Sequence, residues 1–161
     1  MNIYDFTFSD SRGHMMGMAS YKGKVILIAN TATQGGLAKP FEELERLHQA
    51  YKDEGLVVLG FPCDQFPQPA PESNGAMVDA GKVNFGVTFL LSEKIDVNGG
   101  KAHPLFVFLK KQLPGSLLGS GIKGNFTNFL VSRKGKPTKR YAPVAKPAEL
   151  EEDIVKLLRN G

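Results

Sequence analysis

A single thiol, Cys63 in the run Phe61-Pro-Cys-Asp-Gln, is the one sulfur nucleophile in 161 residues besides five methionine thioethers, and His14, His48 and His103 are the only imidazoles. A thiol attacks as its thiolate, which a neighbouring Lys, Arg or His would favour. No such residue flanks Cys63 in sequence, and free cysteine is among the most buried residue types, so packing is the first expectation for it. One cysteine excludes a disulfide within this sequence. With three scattered histidines it also leaves no Cys/His cluster at zinc spacing, so no structural metal is expected. His48 recurs with apolar residues at helical spacing and His103 immediately precedes Pro104, so both read as core or cap contacts rather than acid-base groups. Met15, Met16 and Met18 read as gap fillers.

In an open α/β sheet, ligands gather at the carboxyl ends of the strands. The unbroken apolar run Val25-Ile-Leu-Ile-Ala29 has the pattern of a strand buried on both faces, and Leu56-Val-Val-Leu-Gly-Phe61 is a second one. Between them Phe41, Leu44, Leu47, His48 and Tyr51 recur at helical spacing, with Glu42, Glu43 and Glu45 early, Lys52 late and Gly55 as the stop. Strand, helix, strand in this order predicts a βαβ unit with parallel strands. Phe6 and Phe8 alternate with polar residues ahead of the turn Asp10-Ser-Arg-Gly, which predicts an amino-terminal hairpin. Further on, the sequence predicts helices over 73–82, 104–111 and 147–158 and strands over 129–132 and 139–141. The three prolines of Phe66-Pro-Gln-Pro-Ala-Pro predict a loop leaving the second strand. The expectation is an α/β fold with a four-stranded central sheet. The two places where chemistry would sit are the turn after Ala29 and the loop after Phe61.

Composition agrees with one globular domain over 1–161, at 42% hydrophobic and 22% charged residues. No apolar run approaches the ~18 residues of a membrane span, and the amino terminus has no basic region followed by an apolar one, so the expectation is a cytoplasmic protein without an integral membrane segment. The net charge of +4 is modest. Its densest contribution, Arg133, Lys134, Lys136, Lys139 and Arg140, lies around a predicted turn without interleaved aromatics, which reads as a solvated hairpin rather than a nucleic-acid or lipid patch.

The stretch Asn30-Thr-Ala-Thr-Gln-Gly-Gly-Leu after the first strand, together with Lys22-Gly-Lys-Val, Phe61-Pro-Cys-Asp-Gln-Phe and Asn125-Phe-Thr-Asn-Phe-Leu-Val, closely resembles the glutathione peroxidase family over nearly the whole chain. The resemblance implies a thioredoxin-like fold, with a central mixed sheet flanked by helices and an amino-terminal β-hairpin. It also implies reduction of hydrogen peroxide and organic or lipid hydroperoxides by a thiol donor, glutathione or thioredoxin, with no bound cofactor. Its catalytic set maps onto this sequence position by position. The peroxidatic cysteine or selenocysteine falls on Gly35, the glutamine on Pro69, the tryptophan on Gly124 and the asparagine on Asn125, which is retained. The resolving cysteine of thioredoxin-linked members falls on Gly81. Other departures are Lys39-Pro40, Asp64 and Leu90-Leu91-Ser92. The short stretch between 109 and 121 is similar to the monomeric, phospholipid-hydroperoxide or thioredoxin-linked branch, so a monomer is expected.

A single glycine ordinarily marks a positive φ or a close backbone approach. Three of them, at Gly35, Gly81 and Gly124, at chemically essential places inside well-matched flanks, read as loss of the active site. The leading expectation is therefore a peroxidase scaffold with little or no activity, either a natural pseudoenzyme or an inactivated variant. Two alternatives stand beside it: a weak peroxidase using Cys63, and a binding or sensing module in which Leu90 and Leu91 are exposed contact residues.

Overall fold

The computed structural model describes residues 1–32, 38–66, 87–115, 119–143 and 145–160. Seven consecutive buried residues, Val25–Thr31, form β3, the strand around which the rest is arranged. A short antiparallel hairpin, β1 (Thr7–Ser9) and β2 (Met15–Gly17), precedes it. Helix α1 (Ala38–Tyr51) follows, and then β4 (Leu56–Pro62), which runs parallel to β3 with Val25 opposite Leu56 and Thr31 opposite Pro62. The remaining elements are β5 (Leu90–Leu91), α2 (Pro104–Gln112), β6 (Asn128–Val131), β7 (Pro137–Tyr141) and α3 (Pro147–Asn160). The mixed sheet has the order β5-β4-β3-β6-β7, with β5 parallel to β4 and with β6 antiparallel to both β3 and β7.

The sheet thus has five strands where four were expected. The additional one, β5, is a two-residue edge strand, too short for alternation to announce it. Leu91 is only 5% exposed and Leu90 is half-buried, so this pair packs against the sheet and is not an exposed contact surface. The helix expected over 73–82 lies outside the described residues.

Strand alternation divides the core in two. Val25, Leu27 and Ala29 face Phe41, Leu44 and Leu47 of α1 and Leu150, Ile154 and Leu158 of α3. Ile26 and Ile28 face α2 and the amino-terminal segment, where the Phe61 ring lies 5.0 Å from that of Phe8 and 5.3 Å from that of Phe106. Helix α2 begins as its sequence predicts: Pro104 occupies the first turn and His103 is the cap, its Nδ1 accepting the Leu105 N–H at 3.1 Å. Of the three methionines, Met18 is fully buried, whereas Met15 is 68% exposed and packs little.

The basic cluster lies on a hairpin whose Lys134, Lys136 and Lys139 are exposed, as expected, whereas its two arginines are half-buried and engaged. Arg133 donates to the carbonyls of Gly23, Glu54 and Leu158 at 2.8–3.0 Å, tying the β6–β7 turn to the entry of β3, the exit of α1 and the end of α3. Gly55 has φ +111°, and a Cβ there would stand 2.7 Å from Arg133 Nη1, so glycine admits both the turn and the guanidinium. Arg140 donates to the carbonyls of Leu113, Ser120 and Gly121, and Lys139 pairs with Glu149 and Asp153 of α3. These cations fasten elements that hydrophobic contact alone brings near. Replacing Arg133 by methionine keeps the aliphatic stem and strands three carbonyls. The expected loss is about 1–3 kcal/mol of unfolding free energy, seen as a lower urea midpoint with an unchanged m-value, and an unaltered midpoint would show the guanidinium to be dispensable.

Candidate functional site

The carboxyl end of β3 receives the loop that leads into β6, and one side chain joins them. Asn30 is an amide that follows the apolar part of β3, 0% exposed. Its Nδ2 donates to the Gly124 carbonyl at 3.2 Å and to Asn125 Oδ1 at 3.4 Å, while its Oδ1 accepts the Thr127 N–H at 3.1 Å. The backbone reinforces this clasp: Phe126 N–H donates to the Asn30 carbonyl at 2.6 Å, and Thr127 Oγ1 donates to the Gly124 carbonyl at 2.9 Å. A buried amide left unpaired is costly, so satisfying Asn30 specifies the path of residues 124–127. The path includes Phe126 at φ +64°, among the described residues the only non-glycine in the left-handed region. Its ring meets Phe41 of α1 edge-on at 5.1 Å, which offsets the strain with aromatic packing.

Within this clasp, the site residues read from the sequence separate clearly. Asn125 is half-buried, and its oxygen accepts from Asn30. Gly124 does not adopt a positive φ, so its backbone does not require glycine; a Cβ there would meet Pro143 Cγ at 3.3 Å, a contact that asks Pro143 to give by a few tenths of an ångström. Gly35, Pro69 and Gly81 lie outside the described residues.

Cys63 follows β4 and is fully buried among the aromatic residues of the α2 face. Its Sγ donates to Gln65 Oε1 at 3.5 Å. Burial, the largest cause, pushes the thiol pKa up; the Gln65 backbone N–H, second in size, and that of Val97 oppose it, while the carboxylates of Asp96 and Asp64 add to the rise. The group is thus held as the thiol, the unreactive form. Neither histidine joins it. His103 is the α2 cap, and His48, on α1, is half-buried with its pKa lowered by desolvation and its ring edge-on to Phe89.

Three residues that hold the site together were not singled out in the sequence, although Asn30 and Gln65 lie within the quoted runs. Besides Asn30, Gln65 accepts the Val97 and Asn98 N–H groups at 2.8 and 3.1 Å and donates to the Asn98 carbonyl at 3.0 Å. Asn98 in turn exchanges two bonds with the backbone of Ile122, at 2.7 and 2.8 Å, and receives Lys110 Nζ at 3.3 Å. Burial lowers the Lys110 pKa, with Arg140 nearby adding to the effect. A chain of amides therefore runs from the loop after β4 to the loop that carries Gly124 and Asn125. The signal available in sequence was Asn30 itself, an amide directly after an apolar run. Among the described residues no group of three or more His, Cys, Asp or Glu side chains is placed to hold a metal ion. The amide nitrogens of Asn30, Gln65 and Asn98 are spent on protein oxygens, and the one described thiol, Cys63, is buried.

The sequence model of the glutathione peroxidase family matches residues 3–110. A curated relative, the glutathione peroxidase of Lactococcus lactis subsp. cremoris, is 48% identical over 158 residues, covering 98% of this chain and 100% of that protein. Among solved structures, that of T. cruzi GPX1 superposes with a TM-score of 0.84 at 36% identity, covering 99% of this chain and 97% of that one. A thioredoxin-family thiol:disulfide interchange protein from Chlorobium tepidum superposes with a TM-score of 0.69 over 95% of this chain and 92% of its own, and at 16% identity this shows the thioredoxin-like fold.

Replacing Asn30 by the near-isosteric leucine removes both donations and leaves the Thr127 N–H buried without its side-chain acceptor. The expected cost is about 2–4 kcal/mol in urea unfolding, with faster amide exchange at Phe126 and Thr127; a variant within about 0.5 kcal/mol of the parent, with unchanged exchange, would contradict the role assigned to this amide.

Proposed function

This chain belongs to the glutathione peroxidase family, and from that premise we propose that it is a member in which hydroperoxide reduction by thiols is lost or nearly lost while the scaffold is retained. In the family's reaction a thiolate or selenolate attacks one peroxide oxygen, the O–O bond breaks, the other oxygen leaves as alcohol or water after taking a proton, and the nucleophile becomes a sulfenic or selenenic acid; one thiol condenses with it, releasing water and forming a mixed disulfide or selenenyl sulfide, and a second thiol displaces the nucleophile as the disulfide of the two thiols forms. The observation that carries the proposal is the state of the one thiol. Cys63 is fully buried with its pKa raised, and the position matched to the nucleophile by its flanks is Gly35, which has no side-chain atom to attack with. Pro69 and Gly124 stand where the resemblance puts donor side chains, leaving Asn125 as the retained member. An active route through Cys63 is disfavoured by the same burial. We take the chain as a cytoplasmic monomer without a bound cofactor, and glutathione or thioredoxin as the reductant its ancestors used.

Peroxide consumption with glutathione or thioredoxin as donor, each coupled to NADPH oxidation, tests this directly. The purified chain is expected to consume hydrogen peroxide and organic hydroperoxides no faster than an equal concentration of free thiol. Saturable turnover that vanishes on Cys63→Ser would overturn the proposal. Gly35→Cys should restore only weak turnover; adding Gly124→Trp and Pro69→Gln should raise it by about 10²-fold or more, beyond the product of their separate effects, since donors around one developing charge act together. Thioredoxin-dependent turnover should further need Gly81→Cys as the resolving thiol. Full activity from Gly35→Cys alone would remove the other positions from the account.

A further inference from the structure

Residues of α1, α3 and the ends of β6 and β7, with Phe126 and Pro143, line a cavity of about 360 Å³, within the range of small-molecule sites. Its walls are apolar, built chiefly by Leu44 and Leu47 of α1, Leu150 of α3, Phe126 and Pro143. Into this wall the sheet places two polar side chains, Tyr141 of β7 and Asn128 of β6, and the second is not fully satisfied. Along β6, Asn128 shares a face with Leu130, the face covered by α1 and α3. Its Nδ2 donates to the Phe126 carbonyl at 3.3 Å, which orients the amide, and its Oδ1 is buried with no hydrogen-bond partner. Such an orphaned acceptor costs stability, and a core position at this register would ordinarily be apolar.

The other polar groups at the cavity are already engaged, with two exceptions. The Tyr141 hydroxyl donates to Asp153, and the Glu43 carboxylate is held by Arg46 at 2.6 and 3.2 Å. Lys39 and Lys146 are exposed at the rim and form no ion pair among the described residues. An occupant that complements all of this has an apolar body for the leucine and phenylalanine wall, a negative charge for the two ammonium groups and an O–H or N–H donor for Asn128 Oδ1. We propose that this cavity binds a small apolar organic acid that also carries a hydroxyl or amide N–H group. The inference does not rest on the loss of peroxidase activity, because it concerns binding at residues outside the reacting positions.

The probe is 3-(4-hydroxyphenyl)propionate, compared with its methyl ester and with 3-phenylpropionate, titrated into the ¹⁵N-labelled full chain and read by amide chemical shifts. The acid should give saturable shifts at Leu44, Asn128, Ala142 and Leu150, with a Kd of about 1 mM or tighter for a ligand of this size. The ester and the deoxy analogue should each bind about fivefold or more weakly. Combining Lys39→Ala with Lys146→Ala should bring the acid to the affinity of the ester, and Asn128→Leu should abolish the advantage of the hydroxyl while leaving the urea midpoint no lower than the parent's. The unaltered chain with the three ligands decides the matter even if a variant folds poorly. No saturation by about 10 mM, shifts confined to other residues, or equal binding of acid and ester would overturn the proposal.

Discussion

The buried amide of Asn30 is the constraint on which the candidate site depends. It sits at the carboxyl end of the central strand, where the ladder to β6 is ending and the chain must turn. An apolar residue there would pack as well against the core but would leave the Thr127 N–H without its side-chain acceptor and the Gly124 carbonyl without the amide donor. Because each end of the Asn30 amide has a partner, residues 124–127 have one low-energy path, including the left-handed Phe126. Asn125 rides on that path, with its oxygen engaged.

This arrangement separates the path of the loop from the side chain at position 124. The bonds that shape the described loops run through Asn30, Gln65, Asn98 and the backbone, and none of them uses a side chain at position 124. Replacing a donor side chain by glycine at that position leaves the clasp intact. The folding set in this loop is Asn30, Thr127 and Asn125, whose oxygen accepts from Asn30, so the path of the loop is fixed without a side chain at position 124. The thiol that remains, Cys63, belongs to the folding set: it fills space among Phe61 and Phe106 and is held protonated by burial.

Most of the fold was legible in the sequence because its elements announce themselves by period. The doubly buried strands β3 and β4, the amphipathic α1 and α3, and the His103-Pro104 start of α2 all carry local patterns. What was not legible depends on residues far apart in the chain. Arg133 and Arg140 looked like solvated charges, yet their partners are backbone carbonyls that sequence separation hides. Leu90 and Leu91 lacked the length to register as an edge strand. At the site, Gln65 and Asn98 act through backbone groups of distant loops, which no local pattern reveals. The glycine at 124 was ambiguous in sequence between turn geometry and lost chemistry; its ordinary φ weighs against the first.

The central claim, that the surviving thiol is structural, is tested most directly by its reactivity toward peroxide in the folded chain. Cys63 can be followed by a sulfenic-acid-specific label and mass spectrometry after exposure to hydrogen peroxide, folded and in urea. A thiol held protonated and out of solvent should be oxidised about tenfold or more slowly in the native chain than in the unfolded one. Oxidation of native Cys63 faster than in the unfolded chain would contradict the account and make that residue a working nucleophile.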